Sequence, residues 1–196
     1  MTGADINGMS QSELELHINE YKVFARVSPE QKVNIIKAFK ANGNIVSMTG
    51  DGVNDAPSLN AADIGVAMGI QGTDVAKNAA DMILADDNFS TIISAIEQGR
   101  NIYKNIKKSV IFLLSCNVGE VIAMFVSIIA GLPVPLIATQ LLWINLITDT
   151  LPAVALGMDP GDKDVMKEKP RTRNENFFSH GAGRRVVTAG ILIGVL

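Results

Sequence analysis

Cysteine is almost absent from this 196-residue chain. Cys116 stands alone in an apolar stretch, so no internal disulfide can staple the fold. Histidine is nearly as scarce: His17 and His180 have no ligand-type neighbours at metal-binding spacing and read as surface residues. Aromatic residues make up only 5%, too few for base-stacking platforms, and the formal net charge of -3 lacks the basic footprint of a nucleic-acid partner. No secretory signal opens the chain, whose first thirty residues are polar and mixed.

Apolar sequence is plentiful but unevenly spread. Residues 1–108 are mixed and polar. Residues 109–131, "SVIFLLSCNVGEVIAMFVSIIAG", run for 23 positions with one charge, Glu120; residues 136–158, "LIATQLLWINLITDTLPAVALGM", match them in length with one charge, Asp149. Each is long enough to cross a hydrocarbon core of about 30 Å. "GLPVP" between them leaves a short turn, which predicts a transmembrane α-helical hairpin. A buried hairpin of a soluble protein is the competing account, and two capless runs of this length argue against it. A charged loop follows at 159–185, read as solvated from Asp159 to Arg173. A third apolar run starts at Val186 and stops at Leu196, so the end of the chain reads as a truncated third span. Lys104, Lys107 and Lys108 precede the first run; Arg184 and Arg185 precede the third. By the positive-inside tendency, residues 1–108 and 159–185 are cytoplasmic, in an integral, multi-pass membrane protein partnered by lipid.

The polar part alternates strand and helix. "KVFARV" (22–27) reads as a strand and 28–43 as a helix with Ser28 as N-cap, Pro29 in the first position, Gln31 completing a capping box and Gly43 at the stop. Strands follow at 44–49, 64–68 and 81–86, with helices near 56–61 and at 73–80. A long helix over 88–110 runs straight into the first span. Such alternation predicts an α/β fold with a parallel sheet, whose ligands collect at the carboxyl ends of strands. "TGDGVNDAP", residues 49–57, falls at such an end. Gly50 and Gly52 permit a tight turn, Asp51 and Asp55 offer hard oxygen ligands for Mg²⁺, and Asn54 can bond phosphate without adding charge. A surface turn has the same composition, but the full nine-residue string at a strand end favours chemistry. Lys32, on the first turn of the 28–43 helix, is by itself an ordinary exposed lysine.

Inside the apolar runs, a charge at the bilayer centre costs a few kcal/mol, which marks Glu120 and Asp149 as functional. Asn117 and Glu120 are three apart on one helical face; Asn145, Thr148 and Asp149 share another. Brought together, the five offer only oxygen, a set that suits Ca²⁺ and not soft transition metals. Pro152 has no N–H, so the carbonyl of Thr148 loses its helical partner and can join such a site. A structural polar cluster is the bland alternative; two carboxylates with no Lys or Arg inside either run fit it poorly.

In order, "FARVSPEQK", "MTGDGVNDAPSL", "ADIGVAMG", "DMILADDNFSTI", "SCNVGE" and "LLWINLITDTLPA" resemble the P-type cation-transporting ATPases, nearest the sarcoplasmic-reticulum-like calcium pumps. The resemblance covers essentially the whole chain. It implies that residues 1–90 are the C-terminal half of a haloacid-dehalogenase-like phosphorylation domain, and that 91–158 are a stalk with the fifth and sixth transmembrane helices. It implies that Asp51 binds Mg²⁺, with Asn54, Asp55, Thr49 and Gly50 in the same motif, and that Lys32 contacts the phosphoryl group. Asn117, Glu120, Asn145, Thr148 and Asp149 then hold the transported Ca²⁺, with ATP as the substrate of the whole pump. The family's "DKTGT" segment with its phosphorylated aspartate, its "TGE" loop, its nucleotide-binding domain and its first four membrane helices are not in this sequence. The chain therefore reads as a fragment, inactive alone, whose partner is the remainder of the pump and whose Met1 is an internal methionine. Thr150 stands where some members have Gly. A pump for Mn²⁺, Na⁺/K⁺ or H⁺, or a membrane-anchored regulator without turnover, are the other functions compatible with these residues. The 88–130 helix is expected to act as a rod joining the phosphate and ion sites.

Overall fold

The computed structural model describes residues 1–171 and 175–195; positions 172–174 of the expected loop and 196 of the third apolar run lie outside the described residues. The chain forms two compact units, Met1–Ile93 and Ser94–Leu196.

The first unit opens with two short helices that the sequence reading did not anticipate, α1 (Gly3–Asn7) and α2 (Gln11–His17). Each starts with a capping box. The N–H of Thr2 donates to Asp5 and that of Ser10 to Glu13, while both hydroxyls accept in return. Ile6, Leu14 and Ile18 then bury against Ala38, with Phe24, Val27 and Phe39 packed on them. The strand expected at 22–27 does not form. Arg26 takes φ 55, a left-handed value that breaks an extended run, and Ala25 makes a lone bridge to Thr2. Helix α3 (Pro29–Ala41) forms as its caps specify: Ser28 N–H donates to Gln31 Oε1 at 2.8 Å, and Gly43 takes φ 80 beyond the end. Gln31 is also buried, and its amide donates to the Gly3 carbonyl and to Asn7 Oδ1, both at 2.7 Å. One side chain thus caps α3 and ties it to α1.

Strand and helix then alternate: β1 (Ser47–Gly50), α4 (Ala56–Ala61), β2 (Ile64–Met68), α5 (Asp74–Ala79), β3 (Met82–Leu84). The strands form a parallel sheet in the order β1-β2-β3, with Thr49 opposite Val66 and Val66 opposite Met82. Central β2 buries Val66 and Ala67, and Leu59 and Ala76 from the intervening helices close over it. The outer strands are shorter than expected because carboxylates take over the ladder at one end. Asp63 accepts from Val46 N–H at 2.9 Å and Asp81 from Gly65 N–H at 2.8 Å.

Helix α6 (Phe89–Ile129) has 41 residues and is, among the described residues, the one helix long and apolar enough to cross a membrane. The second apolar run is broken into α7 (Ala138–Trp143), a π-helical turn (Ile144–Thr148) and α8 (Thr150–Gly157). The cause is local. Asp149 N–H reaches back five residues to the Ile144 carbonyl at 3.0 Å, Thr150 Oγ1 donates to the Asn145 carbonyl at 3.2 Å, and Pro152 has no N–H to offer Thr148. The break therefore begins a turn before the position that the proline alone predicts. Helix α9 (Ala182–Val195) lies close on α6: a Cβ on Gly119 would sit 2.7 Å from Ile193 Cγ2, and one on Gly194 2.6 Å from the Gly119 carbonyl.

The segment after α8 is exposed over most of its described length, as a solvated loop would be, but it is also tied down. Residues 157–168 are strapped to one face of α6. Buried Asn101 accepts from Asp162 N–H at 3.0 Å, and buried Asn105 donates to the Asp159 carbonyl at 2.8 Å. Arg100 donates to the Val165 and Glu168 carbonyls at 3.1 and 3.0 Å. Lys104 pairs with Asp162 and Glu168 at 3.1 and 2.5 Å, and Lys108 pairs with Asp159. Positions 100, 101, 104, 105 and 108 share a helical face. Counting charges alone overlooks that the backbone groups of an irregular segment also need partners.

Candidate functional site

In the first unit the chemistry-bearing residues converge at the carboxyl end of β1. The chain leaves the sheet at Gly50 and turns through a 3₁₀ turn (Val53–Asp55) into α4. Asp55 is buried. Its Oδ1 accepts from Lys32 Nζ at 2.6 Å, and its Oδ2 accepts from the Gly52 and Asp51 amides at 3.3 and 3.4 Å. Burial opposes a charge at Asp55. The Lys32 ammonium and the two amides outweigh it and hold the carboxyl below its usual range. Position 50 must be glycine for this approach, since a Cβ there would lie 2.5 Å from Asp55 Cβ.

Asp51 is different. Its backbone carbonyl accepts from Thr73 N–H at 2.8 Å, but among the described residues no hydrogen bond or ion pair engages its exposed carboxylate. It borders a cavity of about 410 Å³ lined also by Lys32, Thr49, Gly50, Asp55 and Asp87. The two aspartates of the turn thus divide: Asp55 is committed to Lys32, and Asp51 remains a hard-oxygen donor of the kind that Mg²⁺ takes, usually with phosphate oxygens and water. The sequence offered both as ligands. Asn54 is exposed on the turn, outside the cavity's lining.

Asp87 is a residue that the sequence reading did not single out. It accepts from three consecutive amides, Gly69 and Ile70 on Oδ1 at 2.6 and 3.1 Å and Gln71 on Oδ2 at 2.9 Å. Burial again opposes the charge, and the three N–H groups again win, lowering its pKa. The "ADDN" string between a strand and a helix, rich in residues that bond nearby backbone, was the available signal.

In the second unit, Asn145 Nδ2 donates to both oxygens of Glu120, at 3.2 and 3.0 Å, and to the Leu141 carbonyl at 3.0 Å. Asp149 is 5% exposed, and its Oδ2 has no hydrogen-bond partner. The Cys116 thiol interacts with Asp149 and with Glu120, so the lone cysteine, passed over in the sequence, neighbours both acids. Asn117 and Thr148 are exposed, and among the described residues no hydrogen bond joins their side chains to the other three. Nor do three His, Cys, Asp or Glu residues group for a metal among the described residues. An ion held here must draw on amide, hydroxyl or backbone oxygen beside the two acids.

A haloacid dehalogenase-like hydrolase family model matches residues 30–96, and a model of the cation-transporting ATPase C-terminus matches residues 133–196. The chain belongs to the P-type cation-transporting ATPases. It is 61% identical, over 100% of its length and 22% of the relative's, to a calcium-transporting ATPase of Bacillus cereus. An endoplasmic reticulum-type calcium-transporting ATPase of Arabidopsis thaliana is 52% identical over 89% of this chain and 16% of its own. A P-type sodium-transporting ATPase of Toxoplasma gondii is 54% identical over 87% of this chain and 13% of its own. The chain thus spans about a fifth or less of these relatives' length.

Proposed function

We propose that the chain is the part of an ATP-driven Ca²⁺ pump that joins the Mg²⁺ and phosphate end of a phosphorylation domain to half of an intramembrane ion site. The observation that carries the reading is the Asp149 carboxylate, 5% exposed with one oxygen unpartnered, in a broken apolar helix. A buried carboxylate with no cationic partner is costly unless a cation visits it. The apolar runs 109–131 and 136–158 would cross the membrane as a hairpin, the second at a broken helix of the kind tolerated where it lines a site. Residues 1–108 and 159–185 would face the cytoplasm. Glu120, Asn145 and Asp149 would hold Ca²⁺, with Asn117 and Thr148 joining on side-chain rotation. Two carboxylates diluted by neutral oxygens suit Ca²⁺ better than Mg²⁺, which keeps its waters and demands a small octahedron.

At the other end, Asp51 would hold Mg²⁺, which neutralises phosphate charge when bound. Lys32, steered by Asp55, would face the phosphoryl group across Thr49 and Gly50. The aspartate that accepts phosphate from ATP would come from the remainder of the pump. The test is reconstitution of the complete pump in lipid vesicles with labelled Ca²⁺. Uptake should require ATP and collapse in Asp149→Asn. ATP turnover driven by Na⁺ with no Ca²⁺ uptake would replace this reading with a sodium pump, the activity for which one relative is named.

A further inference from the structure

The Asp87 carboxylate bonds the segment that holds Asp51, at a distance in sequence that no local turn explains. Its two oxygens gather the amides of Gly69, Ile70 and Gln71 at 2.6, 3.1 and 2.9 Å. Two residues on, Thr73 N–H donates to the Asp51 carbonyl at 2.8 Å. The same loop is pinned to the sheet by Gly69 N–H on the Leu84 carbonyl, also at 2.8 Å. Asp87 is itself held in place. It takes φ 49, a conformation that Asp tolerates better than most residues, and stands two positions before Phe89, the first residue of α6. Both Asp87 and Phe89 line the Asp51 cavity. The neighbouring Asp86 and Asn88 fix this junction further: Thr91 Oγ1 donates to Asp86 at 2.7 Å, and Ser90 N–H to Asn88 Oδ1 at 3.0 Å.

We infer that Asp87 is a positioning residue for the Mg²⁺ site: its carboxylate gathers the 69–71 amides so that Thr73 holds the Asp51 backbone and aims the Asp51 carboxylate into the cavity. Asp51 has no side-chain partner of its own among the described residues, so its aim depends on its backbone. Removing Asp87 leaves the Ile70 and Gln71 N–H groups without an acceptor, leaves Gly69 N–H on the Leu84 carbonyl alone, and loosens the loop that carries Thr73. Partners one step behind a metal ligand typically change metal affinity roughly 10- to 100-fold when lost. This inference rests on the assignment of Asp51 to Mg²⁺ under Proposed function.

Two variants separate the carboxylate from its strained backbone. Asp87→Asn keeps tolerance for the left-handed conformation and one acceptor oxygen for Gly69 and Ile70, but turns an N–H₂ toward Gln71 N–H. Asp87→Gly accepts the backbone and deletes the acceptors altogether. The experiment uses the complete pump in native membranes and measures acyl-phosphate formation against Mg²⁺ concentration, with Ca²⁺ affinity measured in parallel. The half-saturating Mg²⁺ concentration should rise severalfold in Asp87→Asn and roughly tenfold or more in Asp87→Gly. The phosphoenzyme level at saturating Mg²⁺ and the Ca²⁺ affinity should stay near wild type. Unchanged Mg²⁺ dependence in both variants overturns the inference, and so does a parallel fall in Ca²⁺ affinity, which marks a merely structural residue. If wild-type pump forms acyl phosphate but Asp51→Asn leaves its Mg²⁺ dependence intact, the parent assignment fails, and this inference with it.

Discussion

Asn145 points its amide nitrogen at both carboxylate oxygens of Glu120, at 3.2 and 3.0 Å. A primary amide donates from one end and accepts at the other. If the two residues hold a cation as proposed, the ion would need the accepting end, so binding would break this pair and turn the amide over. Asn145 would then compete with the ion in one state and serve it in the other.

That relationship sets the first prediction. In the complete pump, Asn145→Ala and Glu120→Gln should each weaken Ca²⁺ activation about tenfold or more, about 1.4 kcal/mol per decade. If both residues act on one ion, the double variant should lose less than the sum. Half-maximal Ca²⁺ for ATP hydrolysis in the four proteins of the cycle gives the answer. Strict additivity would show that the two residues do not share a ligand.

Asp55 makes stability depend on pH in a defined direction. Its folded-state pKa is lowered, with burial opposing and the Lys32 ammonium and nearby amides prevailing. The unfolded chain binds that proton at the ordinary value, about 3.9. The stabilisation is complete above that value and is lost as pH falls through the lower, native one. Asp55→Asn should cost about 1–3 kcal/mol at neutral pH. Thermal melts of the 196-residue chain in detergent should show a constant gap to wild type from pH 8 to about 5, closing below about pH 4. A gap that widens on acidification contradicts the assignment.

The strap on α6 ranks its own contacts. Lys104, Asp162 and Glu168 are 31%, 50% and 54% exposed in their side chains, and such pairs contribute about 0–1 kcal/mol and fade with salt. Asn101 and Asn105 are each 8% exposed and satisfy loop backbone groups, so their loss leaves buried polar atoms unpaired, at about 1–3 kcal/mol. Limited proteolysis at 157–168 should accelerate more in Asn105→Leu than in Lys104→Met. At 0.5 M salt the Lys104 effect should vanish and the Asn105 effect persist. The reverse order would mean that charge, not backbone satisfaction, holds the segment.

What could be read in the sequence was what local chemistry determines. Ser28, Pro29, Gln31 and Gly43 marked α3 almost to the residue, and the apolar run 64–68 is β2. Capping boxes at Thr2–Asp5 and Ser10–Glu13 are equally legible in the sequence, although the first thirty residues are polar and mixed. Arg26 could not be foreseen: nothing in "KVFARV" announces a left-handed residue. The commitment of Asp55 to Lys32 and the reach of Asp87 to three amides are tertiary facts, set by the packing of α3 and of the 69–71 loop against the turn. Spacing along the chain carries no trace of either.

The two ends of the proposed machine can be separated by mutation. Asp51 borders a cavity of the first unit, while Asp149 belongs to a broken helix of the second. If Asp51 serves Mg²⁺ at phosphate, Asp51→Asn in the complete pump should cut acyl-phosphate formation from ATP by a hundredfold or so, the upper range for loss of a metal-site interaction. Equilibrium binding of labelled Ca²⁺ should survive, since no ion ligand has changed. Asp149→Asn should do the opposite to binding. Removing one of two carboxylates from a mixed oxygen cage should abolish high-affinity Ca²⁺ binding and, with it, Ca²⁺-dependent phosphorylation, while the Mg²⁺ dependence of any phosphoenzyme formed from inorganic phosphate should stay near wild type. That last measurement separates the two variants most cleanly, because on the proposed division phosphorylation by inorganic phosphate would draw on the Mg²⁺ site and not on the transported ion. Loss of it in Asp149→Asn, or loss of Ca²⁺ binding in Asp51→Asn as deep as in Asp149→Asn, would show that the two sets of residues do not form separate sites.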